Sequence, residues 1–325
     1  MTHRSAPWLA LVAATALGLA CRGGPSGIAD AGAAQPAPHP REGFVPVEGG
    51  RIWYRVTGSG PGTPLIHIHG GPGGNGCRGL QLAALGDRPV IIYDQLGSGR
   101  SDHPTDTTLW RLERFVDEID SLRARLRLDQ VHLYGGSWGA SVALEYALTR
   151  PGGGLRSLTL AGPLISTPMW LEDAAALRQQ LPAPVRETLA RHEAAGTYDT
   201  PGYLAATDSF YARFYTRRPE RPNPDCPGNL NQAVYRYMWG PTEFHATGTL
   251  RGYDRFARLS ELRLPVLFLA GEFDEARPGT VRRYQQRVPG ARFEQIEDAG
   301  HAILSDAPGQ VVAALRPFLH DVERR

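Results

Sequence analysis

The spacing of apolar and polar positions changes several times along this chain, and each change marks an element. Residues 8–20 form an apolar run behind His3 and Arg4. The run is too short to span a bilayer comfortably and has the layout of an export signal. Residues 22–40 are rich in Gly, Ala and Pro, the composition of a flexible tether. From residue 44 to 57 apolar residues alternate around Glu48-Gly49-Gly50, which predicts a hairpin. Short apolar runs then recur at residues 65–69, 90–93, 131–133 and 155–161 and predict buried strands. Helical spacing intervenes: Leu112, Phe115, Val116, Ile119 and Leu122 share one face of a helix over residues 110–126, and residues 140–148 predict a second helix.

This rhythm stops between residues 163 and 259, a stretch rich in Arg, Tyr and Pro. It is too long for a structureless loop, so a helical cap inserted into the sheet domain is expected. The rhythm resumes with a strand at 265–270, a helix near 280–287, a strand near 292–296 and a last helix over about 309–322. Strands alternating with helices predict an α/β fold, a mostly parallel sheet with helices on both faces. The expected organisation is a signal peptide (1–20), a tether (21–41), a core built from 42–162 and 260–325, and a cap (163–259).

Composition narrows the chemistry. The chain has 325 residues, enough for one α/β domain with an insertion, and a formal net charge of +2, too small to suggest a nucleic-acid partner. All 35 basic residues are arginine, which excludes a Schiff-base lysine, a pyridoxal phosphate anchor and a phosphate-loop lysine. No cofactor is implied. Cys21 directly follows Leu19-Ala20, like the end of a bacterial lipobox, with Gly18 where that pattern usually has leucine. A lipidated Cys21, and so an exported cell-envelope lipoprotein touching the membrane only through that anchor, is expected; a secreted or periplasmic form is the alternative. Cys77 and Cys226 either pair outside the cytoplasm or stay as thiols.

The candidate chemistry lies at strand ends. Gly135-Gly136-Ser137-Trp138-Gly139 is a G-x-S-x-G sequence between a predicted strand and a predicted helix, the setting of a nucleophile elbow. Asp274 and His301 each follow a later predicted strand, and the order Ser, acid, His is that of the α/β-hydrolases. His301 would take the Ser137 proton and Asp274 would orient the imidazole; Glu272 and Glu275 are rival acids. Backbone N–H groups of Trp138 and of Gly71, or else Gly70, would stabilise an oxyanion, because Pro72 has none to offer. His67 and His69 form an H-x-H pair, but no further ligand sequence follows, so no metal is expected and His69 is read as a brace for the glycine loop.

These residues carry a resemblance. The blocks His69-Gly70-Gly71-Pro72-Gly73, Asp94-Gln95-Leu96-Gly97-Ser98-Gly99-Arg100-Ser101, Gly135-Gly136-Ser137-Trp138-Gly139, Gly240-Pro241-Thr242-Glu243-Phe244, Gly271-Glu272-Phe273-Asp274-Glu275 and Gly300-His301 resemble those of the proline iminopeptidases, serine aminopeptidases of the α/β-hydrolase fold. The resemblance covers the body from about residue 44. It implies release of an N-terminal residue, often proline, from short peptides with a free N-terminus. It also implies that Glu243 and Glu275 bind the substrate amine. That amine has a pKa of about 8 and is mostly cationic at neutral pH, so it needs carboxylates beside it. Thr242 stands where asparagine is associated with the motif. Tyr235, Trp239 and Phe244 either line a proline pocket or pack the cap. The rival readings are an esterase, lactonase or amidase of the same fold, which has no use for a glutamate pair, and a non-catalytic surface-tethered binding protein.

Overall fold

Short, largely apolar runs build the centre of a sheet of eight strands. They are β1 (Glu42–Val47), β2 (Gly50–Thr57), β3 (Leu65–Ile68), β4 (Val90–Asp94), β5 (Val131–Gly136), β6 (Leu155–Ala161), β7 (Val266–Gly271) and β8 (Arg292–Ile296), ordered β1-β2-β4-β3-β5-β6-β7-β8. The computed structural model describes residues 41–218, 226 and 230–325. The signal peptide, Cys21 and the tether up to residue 40 lie outside the described residues. β1–β2 and β2–β4 are antiparallel, and every other pair is parallel. β4 and β7 are buried along their whole length, as strands covered on both faces must be. The edge strand β8 instead exposes Arg292, Glu294 and Gln295.

The helices are α1 (Leu112–Leu126), α2 (Trp138–Thr149), α3 (Thr167–Arg178), α4 (Ala183–Ala195), α5 (Pro201–Phe214), α6 (Gln232–Met238), α7 (Pro278–Gln286), α8 (Ile303–Asp306) and α9 (Pro308–Glu323). α1, α2 and α7 pack one apolar cluster with the sheet, whereas α8, α9 and the 3-10 turn Gly76–Leu85 contribute to another. The predicted α/β-hydrolase architecture is therefore present. Two local differences have simple causes. Asp106 caps a separate 3-10 turn, Thr107–Leu109, so α1 starts at Leu112 rather than residue 110. The turn Gly76–Leu85 was not predicted, because it is glycine-rich at its start and is initiated by the Asn75 side chain, which accepts from the Cys77 N–H at 3.1 Å.

Helices α3 to α6 all fall between β6 and β7. The two ends of this excursion are pinched together, since Arg255 N–H donates to Ile165 C=O at 2.9 Å and Thr167 N–H to Tyr253 C=O at 2.8 Å. The excursion has its own apolar cluster, including Leu177, Leu189, Tyr203, Phe210, Phe214 and Phe244. It is also tied covalently to the sheet domain. Cys77 and Cys226 form a disulfide across a sequence separation of 149, with Cα atoms 5.6 Å apart. A cross-link over a loop of that size restricts the unfolded chain. Reduction, or Cys77→Ser, is expected to lower unfolding stability by about 2–4 kcal/mol in urea titrations; an unchanged midpoint would show that the bridge contributes nothing.

Candidate active site

Many of the residues singled out in the sequence converge on one cleft. The cleft is about 1620 Å³, and Ser137, Gly71, Glu243 and His301 are among the described residues that line it. A smaller hollow of about 340 Å³ beside β8 and α9 holds none of them.

Ser137 follows β5 and precedes α2, at φ 55° and ψ −124°. That region is sparsely populated for any residue with a Cβ and persists only where neighbours enforce it. Here Ser137 N–H donates to Ala161 C=O at 2.9 Å, and Ser137 C=O accepts from Ala140 N–H at 2.9 Å and Leu164 N–H at 3.3 Å. Gly139 permits the sharp turn, because a Cβ there would run into the Ile68 carbonyl. Among the described residues the Ser137 hydroxyl has no hydrogen-bond partner. Catalytic contacts of this kind commonly tighten only when substrate is bound.

Asp274 and His301 are directly bonded. The imidazole Nδ1 lies 2.7 Å from Asp274 Oδ1. Asp274 is buried and also accepts from Ala276 N–H at 2.8 Å and Gly271 N–H at 3.2 Å. A carboxylate so placed holds the proton on Nδ1 and leaves Nε2 to act as the base. Gly162 supports the pair: its φ is 50°, and a Cβ there would stand 2.8 Å from His301 Nδ1 and 3.0 Å from Asp274 Oδ2. The rival acid Glu272 instead accepts from Asp298 N–H at 3.0 Å, away from the imidazole.

The loop that carries His301 is bonded to the cap. His301 N–H donates to Phe214 C=O at 2.9 Å and Ala302 N–H to Tyr215 C=O at 2.7 Å, where α5 ends. The fully buried Asp306 accepts from Gly300 N–H at 2.9 Å, Arg217 N–H at 2.9 Å and Arg218 N–H at 3.1 Å. Trp170 and Tyr215 flank the imidazole, with ring centroids 5.4 and 5.8 Å from it. None of Asp306, Trp170, Tyr211 or Tyr215 was singled out in the sequence. Their roles depend on which cap residues meet the His301 loop, and no local spacing announces that.

Glu275 is buried, and among the described residues neither carboxylate oxygen has a hydrogen-bond partner. Its Oε1 lies 3.8 Å from His301 Nε2. Burial, and then the neighbouring charges of Glu243 and Asp274, push its pKa well above the usual carboxylate range. Glu243 is half-buried, and its pKa is also raised by burial, with His301 and the nearby Tyr235 hydroxyl opposing the rise. The Tyr235 hydroxyl stops short of hydrogen-bonding geometry. Burial, and then Glu243 before Glu275, raises the phenol of Tyr211 well above its ordinary value. Around Glu243 and Glu275 the cleft wall thus carries two carboxyl groups with raised pKa values, while Arg78, Arg218 and Arg236 line other parts of the cleft.

Of the three aromatic residues weighed for a ring pocket, Tyr235 lines the cleft. Trp239 and Phe244 pack the cap: Trp239 stands edge-on to Trp170 at 6.0 Å, and Phe244 meets Phe210 at 5.0 Å. His69 does brace the glycine loop. Its Nε2 accepts from Gln95 N–H at 3.0 Å, so Nδ1 carries the proton and donates to Gly70 C=O at 2.8 Å. His67 is buried against Tyr134 and Gly79, and burial pushes its pKa down to about 3. Among the described residues no cluster of three or more His, Cys, Asp or Glu could hold a metal.

Known proteins share this arrangement. A family model described as alpha/beta hydrolase fold matches residues 63–308. The proline iminopeptidase of Heyndrickxia coagulans is 41% identical over 286 residues, covering 86% of this chain and 99% of that protein. The proline iminopeptidase of Levilactobacillus brevis is 36% identical over 291 residues, covering 86% of this chain and 97% of that one. The crystal structure of a Mycobacterium smegmatis proline iminopeptidase superposes with a TM-score of 0.78 at 35% identity, covering 87% of this chain and 99% of that chain. The chain belongs to the proline iminopeptidase family of α/β-hydrolase-fold enzymes.

Proposed function

We propose that this enzyme is a serine aminopeptidase that removes an N-terminal residue, preferably proline, from short peptides through an acyl-enzyme. The observation that carries the reading is Glu275: a buried carboxylate, 3.8 Å from His301 Nε2, with no hydrogen-bond donor among the described residues. An uncompensated buried carboxylate is costly and is retained where something pairs with it. A substrate α-ammonium is such a partner. It would lie between Glu275 and Glu243, in the same residue as the scissile carbonyl, and on this reading the cap beyond it would oppose a longer N-terminal extension. The preference for proline rests on the names of the relatives and on the phenol face of Tyr235.

In this reading Ser137 Oγ attacks the carbonyl carbon while its proton passes to His301 Nε2. Asp274 stabilises the resulting imidazolium, and the N–H groups of Gly71 and Trp138 receive the oxyanion. Trp138 is the first residue of α2, so its N–H has no partner within the helix. The tetrahedral adduct collapses by breaking the C–N bond, and His301 hands its proton to the departing amine. Water then attacks the acyl-enzyme, giving its proton to His301, and Ser137 takes a proton back as the free residue leaves.

We also propose that the chain is exported and lipidated at Cys21. The Cys77–Cys226 disulfide supports export, since such bridges persist in oxidising compartments; the anchor rests on the sequence around Cys21. Cys21→Ser should move the protein from the membrane fraction to the soluble fraction; unchanged fractionation would contradict the anchor.

Ser137→Ala should reduce turnover by at least about 10³-fold. Glu275→Gln should lower kcat/KM for free-amine substrates by about 10- to 1000-fold, in keeping with loss of a charged hydrogen bond, while changing hydrolysis of an amine-free ester far less. Equal losses on both substrates would refute the amine-anchoring role. Because the carboxyl pKa values of Glu243 and Glu275 are raised, the anionic forms that bind an ammonium are lost before pH falls to the ordinary carboxylate range. The acidic limb of kcat/KM should therefore lie at higher pH for a free-amine substrate than for the ester. Coincident limbs would count against the pair.

A further inference from the structure

The two proposed oxyanion donors belong to chain segments far apart in sequence: one heads α2, and the other sits in the glycine loop after β3. A single side chain spans them. Gln95, fully buried at the end of β4, accepts at Oε1 from the Trp138 indole Nε1–H at 2.9 Å. Through Nε2 it donates to the His69 carbonyl at 2.9 Å. The amide orientation is fixed chemically, because an indole can only donate and a carbonyl can only accept. Its own backbone N–H donates to His69 Nε2 at 3.0 Å, and that ring in turn holds Gly70 C=O.

The residues flanking Gln95 are held just as firmly. Asp94 Oδ1 accepts from Gly76 N–H at 2.7 Å and its Oδ2 from Arg100 N–H at 2.8 Å. Leu96 N–H donates to the fully buried Glu118 at 2.9 Å, and Arg114 pairs with the same carboxylate oxygen at 2.8 Å. A side chain so immobilised can set a distance between two loops, whereas a flexible one could not.

We propose that Gln95 is a positioning residue that sets the separation of the Trp138 and Gly71 N–H groups, and so the geometry of the oxyanion site. The inference rests on the reading of those two N–H groups given above. Gln95 touches neither substrate nor the reacting atoms; it acts through Trp138 and His69. Its effect should fall on the transition state, where charge on the oxygen is greatest, and spare ground-state binding.

The test uses two variants and a p-nitrophenyl ester that carries no amine, alongside wild-type enzyme assayed on prolyl-p-nitroanilide. Gln95→Leu removes both bonds and should lower kcat on the ester by about 10- to 100-fold with KM within about twofold, the size expected when a donor is displaced rather than deleted. Gln95→Glu keeps the side-chain volume and decides the matter if Gln95→Leu does not fold. Its carboxyl can donate to His69 C=O only when protonated. Activity of this variant should therefore be near wild type at the acid end of the working range and fall as pH rises through the carboxyl's ionisation, a limb the wild type lacks. A purely structural role would change stability without creating that limb. Wild-type-like kcat in both variants, a loss confined to KM, or a Gln95→Glu profile parallel to wild type would overturn the proposal. Failure of the wild type on the prolyl anilide with the ester still cleaved would sink the aminopeptidase reading and leave the Gln95 result standing.

Discussion

Ser137 occupies a backbone conformation, φ 55° and ψ −124°, that costs a serine on the order of 1–3 kcal/mol and must be enforced by everything around it. The enforcement is distributed. β5 delivers the chain to the turn, Ala161 at the end of β6 accepts the Ser137 N–H, and Gly139 lets α2 pack directly on the Ile68 carbonyl. The same close packing sets the first N–H of α2 beside the glycine loop after β3. A parallel sheet is what makes this possible, because the ends of β3, β5, β6 and β7 then open on one side. The turn at Ser137, the Asp274 loop after β7 and the His301 loop beyond β8 all emerge there.

The cap adds the second layer of function. It is bonded to the His301 loop through Phe214, Tyr215 and Asp306 and cross-linked to the residue-77 turn by the disulfide. The His301 imidazole and the wall of the cleft are thus tied together through the chain. There, burial raises the carboxyl pKa values of both Glu243 and Glu275. On the reading proposed above, this gives the cleft its chemical bias: a cationic amine would relieve the electrostatic penalty, and a neutral ester would not.

Much of this was legible in the sequence because it depends on local pattern. The alternating hairpin, the buried strands, α1 and the strand-turn-helix around Ser137 all follow from period and glycine placement. Asp274 and His301 could be named because each follows a strand and their order is diagnostic. What local pattern could not yield was contact across the cap. Nothing near Asp306 indicates that it receives three N–H groups, and nothing in the spacing of residues 167–215 reveals that Trp170 and Tyr215 flank the imidazole. Trp239 and Phe244 were balanced between pocket and core, and packing put both in the core. The cysteines were balanced too, and only the fold brings their Cα atoms to 5.6 Å. Gln95 stood in a quoted block, yet its bridge between two loops is a tertiary property.

The central claim is that the cleft selects a free N-terminal amine. The most direct measurement compares hydrolysis of prolyl-p-nitroanilide with that of its N-acetylated form by the protein beginning at residue 22. Cleavage of the free amine with no detectable cleavage of the acetylated form is the result this account predicts. Comparable rates on the two would contradict it and identify a general amidase or esterase in the same fold.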